Sequence, residues 1–372
     1  MRLLMLSGDR QVSVGERGPF HALLREFVHY FERIDVLCPR PDKPVSVRSV
    51  FERVQLHVAD CSRIRMLGFL EREGRALLAN QHHELIVSHD YGWFYNGIAA
   101  ARLSRSCGVP YLSEIHHVPG HPIAANARER FDKLVARTYV RWARAHARAF
   151  RVVNSVEMPE LLRSWGVPDE QITVLPSLYI DREVFKPPSV RPACEQDMLF
   201  VGRMVSNKGL DRIVDAVARL QGKTALFVGK GPLLESTRQR ARRAGLGQRA
   251  RFVEWVASPE ELAELYRRSR VVVCASTCEG GPRFTVEAMA CGTPVVSTPV
   301  GMMRELVRDG ENGALCGFDV ASLARAIDSV LVDETRRIEL GNAAQAVAAR
   351  FESSSVIRGY AEGLHRLAGV QG

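Results

Sequence analysis

The segment ASTCEGGPRFTVEAMACGTPVVSTPVGMMRELVRDGENG, Ala275–Gly313, leaves an apolar strand at Val271–Cys274 and enters a loop carrying Glu279, Gly280 and Gly281. A short helix holding Glu287, Ala288 and Met289 follows. The unpaired backbone N–H groups at the start of such a helix favour an anion. Glycines before it let that backbone approach a ligand closely. The two carboxylates stand eight positions apart, one in the loop and one inside the helix, so both can border the same ligand. A diphosphate at the helix start, with Glu279 and Glu287 accepting hydroxyl hydrogens on either side, describes a sugar nucleotide. The alternative is a pair of solvated glutamates around a glycine turn.

Upstream, LFVGRMVSNKGLDRIVDAV (Leu199–Val217) repeats the architecture. A strand ends at Val201-Gly202, Arg203 and Lys208 flank a short loop, and a helix starts near Gly209. Two cations in this setting make a phosphate clamp, with Arg203 able to grip two oxygens and Lys208 acting as a point charge. LFVGKGPLL (Leu226–Leu234) supplies a further strand-to-glycine turn at Gly229 and Gly231. It is not a dinucleotide fingerprint, because Leu234 stands where the third glycine belongs. QGKT at Gln221–Thr224 is not a phosphate loop either, because Val217 replaces the first glycine.

Short apolar runs alternate with amphipathic stretches along the whole chain. Strands are expected at Leu3–Leu6, Ile34–Leu37, Leu85–Ser88, Tyr111–Ile115, Phe150–Val153 and Ile172–Leu175. Others are expected at Met198–Val201, Ala225–Val228, Arg251–Val253, Val271–Cys274 and Pro294–Ser297. Nearly all-apolar strands separated by helices predict parallel sheets covered on both faces. Pro187, Pro188 and Pro192 in FKPPSVRPACEQD (Phe185–Asp197) interrupt the pattern and mark a linker. The expected organisation is α/β, with two Rossmann-like doubly wound units, residues 1–187 and 188–352, facing a central cleft. The last amphipathic run, residues 353–372, suits either unit, and packing back on the first is one option.

The 372 residues carry a formal charge of +9, spread over both halves, which suits anionic partners without choosing among them. No apolar run reaches the ~18–20 residues of a spanning helix, and the apolar start Leu3–Leu6 is too short for a secretory leader, so a cytoplasmic protein is expected. Eight cysteines without a CxxC pair read as reduced packing residues rather than a zinc site.

In the first unit IVSHDYGWFYNG (Ile86–Gly97) and VPYLSEIHHVPGHP (Val109–Pro122) each follow a strand with polar residues: His89, Asp90, Glu114, His116, His117 and His121. At such strand ends, imidazoles supply hydrogen bonds or acid–base help near pH 7. Arg128–Arg151 is amphipathic, with Arg130, Arg137, Arg141, Arg144 and Arg148 on one face. Phe131, Leu134, Val135, Thr138, Trp142, Ala145 and Ala149 lie opposite. One reading is an outer helix burying its apolar side on the sheet; another is a basic face on anionic lipid. No nucleic-acid motif accompanies the charge, so no nucleic-acid partner is expected.

Together the Glu279/Glu287 element, Gly202-Arg203 with Lys208-Gly209, WGVPDEQITVLPSLYIDREVF (Trp165–Phe185) and GTPVVSTPVGMMRELVRDGENG resemble the retaining GT-B glycosyltransferases of the family 4 type. The resemblance is clear over residues 84–320. It implies a nucleoside-diphosphate sugar, UDP- or GDP-linked, as donor in the second unit. It also implies a glycan, lipid-linked sugar or small hydroxyl acceptor against the first, with no cofactor or metal required. By the same resemblance Arg203 and Lys208 bind the diphosphate, Glu287 the ribose hydroxyls and Glu279 the donor sugar. His116 lies near the transferring sugar, and Gly280, Gly281, Pro282, Arg283 and Phe284 complete the donor pocket. The usual amino-terminal glycine loop is replaced here by SVGERGPF (Ser13–Phe20), with Gly15 and Gly18 as its candidates. Lys230 stands where an acidic residue is common, and GGPRF replaces a single-glycine loop, placing Arg283 beside the sugar. A nucleotide-sugar epimerase of this fold and a non-catalytic GT-B protein binding glycan or a membrane surface are the alternatives. For the enzyme, peripheral attachment to the inner membrane face is a further option.

Overall fold

The computed structural model describes residues 1–369. The first sheet has eight strands: β1 Arg2–Leu6, β2 Arg33–Cys38, β3 Ser49–Val50, β4 Val54–Val58, β5 Leu85–His89, β6 Tyr111–Glu114, β7 Ala149–Val152 and β8 Ile172–Val174. Their spatial order is β3-β4-β2-β1-β5-β6-β7-β8, parallel throughout except for the short edge pair β3/β4. The second sheet is formed by β9 Gln196–Val201, β10 Ala225–Val228, β11 Ala250–Val253, β12 Ser269–Cys274, β13 Val295–Ser297 and β14 Gly313–Leu315, in the all-parallel order β11-β10-β9-β12-β13-β14. Strand order reverses between β1 and β5 in one sheet and between β9 and β12 in the other. Ligands of doubly wound sheets bind at the carboxyl ends beside such reversals.

Alternation along β1 builds both faces of the first core. Leu4 and Leu6 pack with helices Met66–Gln81 and Tyr95–Cys107. Leu3 and Met5 pack with helix Pro19–Phe27 and with helix Ser353–Ala368, through Ile357, Tyr360, Ala361 and Leu364. The terminal helix therefore lies on the first sheet, while residues 370–372 of the expected terminal segment fall outside the described residues. The chain passes between the sheets twice, side by side: Ile180 N donates to Phe351 O at 2.8 Å, and Ser353 N to Ile180 O at 3.1 Å.

The structure corrects the expected 128–151 helix. The helix spans Ala127–Ala143, capped by Asn126, and Ala149–Arg151 already belong to β7. Arg148 is exposed before the strand, whereas Arg151 is buried beneath the cleft and unavailable to any basic surface. The apolar row assigned to the sheet is also wrong: Ala136, Tyr139, Val140 and Ala143 are buried, while Phe131, Leu134 and Trp142 face outward. Three strands were not expected, β3, β4 and β14; β3 and β14 are two and three residues long. Gln196 and Asp197, at the end of the proline-rich linker, belong to β9. Among the described residues no helix is long and apolar enough to cross a membrane.

Candidate active site

Beyond β9 the chain turns through Gly202, Arg203 and a short turn at Ser206–Lys208 into helix Leu210–Arg219. Gly209 has φ 66°, and a Cβ there would lie 2.1 Å from the carbonyl oxygen of Ala275, so no side chain fits. This close approach joins the Lys208 turn to the loop after β12. The Lys208 ammonium forms an ion pair with Glu279, whose Oε1 also accepts from Ser276 Oγ at 2.9 Å. Asn207 fastens the same loops, donating to Cys278 O at 2.9 Å and accepting from Thr277 N at 2.8 Å. Helix Arg283–Ala290 begins at Pro282 without a side-chain cap. The N–H groups of Arg283 and Phe284 have no partner among the described residues and can meet an anion, while Thr285 N donates to Pro282 O at 3.1 Å. Phe284 is buried at this start, with the Lys208 ammonium 5.9 Å from its ring centroid.

A cavity of about 830 Å³ opens on this helix, lined by Gly202, Gly229, Glu254, Arg283 and Glu287 among others. Glu287 is buried and accepts from Tyr266 OH at 2.9 Å. Burial raises its carboxyl above the ordinary range, against the lowering effects of Tyr266 and Arg283. Arg203 is exposed, with no ion pair among the described residues. Gly231 packs on the Met204 backbone and Gly281 against Leu178 and Met302, so both shape turns behind the lining. Lys230 is exposed, and its carbonyl accepts from Met204 N at 2.7 Å.

A second cavity, of about 410 Å³, lies against the carboxyl ends of the first sheet and shares Tyr179 and Arg283 with the first. His89 at the end of β5, Glu114 at the end of β6, His116 just after it and Arg151 near the end of β7 line it. Glu114 and Arg151 are buried and ion-paired at 3.0 Å. His89 and His116 both bring Nε2 to 3.5 Å from Glu114 Oε2. Burial pushes the Glu114 carboxyl upward, but Arg151 and the two imidazoles outweigh it and hold the group well below the usual range. Burial lowers His89 to about 4, leaving a neutral imidazole at physiological pH. The Arg283 guanidinium lies 4.7 Å from the Tyr179 ring centroid, at the seam between the cavities.

The sheets meet at His116 and Gly280: a Cβ on Gly280 would stand 2.4 Å from the His116 carbonyl oxygen. Asn154 Nδ2 donates to Gly280 O at 3.2 Å, Gly301 N to Glu157 Oε2 at 2.9 Å, and Cys278 Sγ to Val118 O at 3.1 Å. His116 of the first unit thus abuts the loop carrying Glu279 of the second.

Some expected residues lie elsewhere. Gly15 faces Ser46 and Val47, and neither it nor Gly18 lines the two cavities; Gly8 and Asp9, directly after β1, do. Asp90 turns away from the cleft to accept from Ser88, Ser113 and Tyr139, and burial raises it to about 7. His121 lies beside Lys133, 3.3 Å from its ammonium. Sequence reasoning missed Tyr179, Tyr266, Arg151 and Tyr360. Arg151 in β7, Tyr266 in helix Pro259–Arg267 and Tyr360 in the terminal helix gave only core signals, and Tyr179 lies in the irregular stretch after β8.

Two doubly wound α/β units facing one cleft, with a cation-bearing loop and a glycine-to-helix turn on one wall, have the architecture of the GT-B fold. The Glycosyl transferases group 1 model matches residues 181–347, and the Glycosyl transferase 4-like domain model matches residues 20–177. The chain belongs to the group 1 glycosyltransferases, of the family 4 type. It is 32% identical over 324 residues to D-inositol 3-phosphate glycosyltransferase 1 of Catenulispora acidiphila, covering 76% of this chain and 71% of that one. It is 31% identical to the D-inositol 3-phosphate glycosyltransferase of Stackebrandtia nassauensis, covering 71% of this chain and 64% of that one. Sucrose-phosphate synthase from Thermosynechococcus elongatus superposes with a TM-score of 0.82 at 21% identity, covering 99% of both chains. Anabaena HepE, solved with UDP and glucose, superposes with a TM-score of 0.75 at 20% identity, covering 98% of this chain and all of that one.

Proposed function

We propose that the protein transfers a hexosyl residue, with retention of anomeric configuration, from a UDP- or GDP-sugar to a hydroxyl acceptor in glycan or glycolipid assembly. The Lys208–Glu279 pair beside the open start of helix Arg283–Ala290, on the loop whose Gly280 abuts the His116 carbonyl, carries this reading. In it, residues 1–187 and the terminal segment form the acceptor side, and residues 188–352 hold the donor. The diphosphate sits on the helix N–H groups with Lys208 and Arg203 as cations; Glu287 accepts from the ribose hydroxyls and Glu279 from the sugar. The bond from the anomeric carbon to the phosphate oxygen breaks, and its electron pair leaves with the nucleoside diphosphate. The acceptor oxygen bonds on the same face, and its proton passes to the departing phosphate. Preorganised cations and N–H groups stabilise the developing charge, so no metal is needed. Peripheral attachment to an anionic inner membrane face belongs to the same reading.

The test is proton NMR of the sugar released when UDP-α-glucose or GDP-α-mannose is turned over with water as acceptor, in excess EDTA. Retention predicts the α anomer first. The β anomer first, or loss of turnover with EDTA, contradicts the mechanism. Conversion of one sugar nucleotide into another without sugar release would indicate an epimerase.

A further inference from the structure

Helix Ala127–Ala143 has two apolar faces, and the first sheet's core covers one. Phe131, Leu134 and Trp142 on the other face are 52%, 57% and 40% exposed. Trp93, 63% exposed, joins them from the loop after β5, its ring 6.2 Å from that of Phe131. Trp93, Leu134, Val135 and Trp142 border a groove of about 540 Å³. Single exposed apolar side chains are ordinary on protein surfaces, but four large ones gathered on one face mark an interaction site.

The charges beside the groove select the partner. At 100° per residue, Arg130, Arg137 and Arg141 form a row directly alongside Leu134, with Phe131 and Trp142 beyond it on the same side. All three arginines are exposed and carry no ion pair among the described residues. The helix's own carboxylates are engaged elsewhere. Glu129 accepts from Ala125 N at 2.7 Å, and Asp132 lies 3.9 Å from Arg128. An apolar strip containing two tryptophans, flanked by free cations, suits the boundary between lipid headgroups and acyl chains.

We propose that this surface docks on an anionic lipid bilayer, with Trp93, Phe131, Leu134 and Trp142 entering the interface and the arginine row lying on lipid phosphates. Two connections link the surface to the cleft. Asn126 at the helix start donates to Ser206 Oγ at 3.2 Å, two residues before Lys208. The Trp93 loop also carries Tyr91, which lines the 410 Å³ cavity. Resting on the proposed transfer reaction, docking would bring the mouth of the cleft to the bilayer, where a hydroxyl carried on a lipid could reach it.

Co-sedimentation of the full chain tests this with vesicles of phosphatidylcholine alone and with about one-third phosphatidylglycerol. The wild type is expected to pellet with the anionic vesicles, and less at high salt. Leu134→Glu with Trp142→Glu, and separately Arg137→Glu with Arg141→Glu, should each lower binding about tenfold or more. Both double variants replace exposed residues, so their melting temperatures and their thermal response to a nucleoside diphosphate should match the wild type. No pelleting of the wild type, or equal pelleting of wild type and variants, overturns the proposal. So does a dimer in light scattering that Leu134→Glu with Trp142→Glu makes monomeric, which would assign the surface to a second copy of this chain. No donor is present in the vesicle measurement, so its outcome is independent of the transfer reaction.

Discussion

Tyr360 of the terminal helix donates its hydroxyl hydrogen to Glu114 at the end of β6, 246 positions earlier in the chain. The same ring covers the Arg151 guanidinium at 3.6 Å. A buried ion pair under the candidate acceptor cavity is therefore closed by a residue that arrives only after the chain has passed through the second sheet. Buried pairs withstand replacement of both partners far better than loss of one. Glu114→Gln should cost about 3–5 kcal/mol, because it strands the Arg151 charge. Tyr360→Phe, which keeps the ring, should cost about 1.5–3 kcal/mol. Urea unfolding at neutral pH checks both, and equal stability of the three proteins would remove the pair from the account.

The same carboxylate sets an acid limit. Its pKa in the fold is held below the ordinary 4.5, so its contribution is complete above that value and lost as pH falls below it. Thermal melts at descending pH should show a steeper loss for the wild type than for Glu114→Gln. Parallel curves would assign the acid sensitivity to other groups, Asp35 with its His57, His83 and Arg33 partners foremost.

Glu287 carries the opposite sign. Burial raises its carboxyl, so the folded state binds the proton more tightly than the unfolded chain and the ionised group costs stability above the ordinary 4.5. Glu287→Gln should therefore melt at the same or a higher temperature at neutral pH. It should also bind a nucleoside-diphosphate sugar roughly 10–100-fold more weakly, the loss of a hydrogen bond to a charged acceptor. Calorimetric titration beside a melting curve reads both effects.

Much of this architecture was legible because its strands announce themselves. Phe200, Val228 and Val273 sit in short apolar runs that occur only where both sheet faces are covered, and each run ends in a turn with glycine or polar residues. Helix Ala127–Ala143 was misread for a physical reason. Its core face uses Ala136, Tyr139, Val140 and Ala143, while its larger apolar residues point outward, so a pattern of hydrophobicity selected the wrong side. The Lys208–Glu279 pair was legible in sequence, since both residues lie in strand-loop-helix units, while Glu287 lines the cavity apart from that pair, bonded to Tyr266. Tyr179, Arg151 and Tyr360 were not, because they reach the cavities from distant parts of the chain and only the tertiary fold brings them together.

Gly280 offers a test of the seam between the sheets. Alanine there would set a methyl group 2.4 Å from the His116 carbonyl and force the Glu279 loop away from the first unit. Misplacement near 1 Å at a reacting centre costs roughly 100-fold in rate. Donor turnover with water should fall by about that factor in Gly280→Ala, and overpacking of the buried seam should lower stability by about 1–3 kcal/mol. Full activity would show that this contact is not needed for the reaction.

The most direct test of the donor site is the thermal stability of the wild type and Lys208→Ala across UDP, GDP and their sugars. At ~100 times its dissociation constant a ligand adds ~2.7 kcal/mol to the folded state. One nucleotide series should raise the wild-type melting temperature, and Lys208→Ala should abolish that rise while melting as a folded protein without ligand. If no nucleotide stabilises the wild type, the donor-site account fails, and if Lys208→Ala responds as the wild type does, Lys208 does not hold the diphosphate.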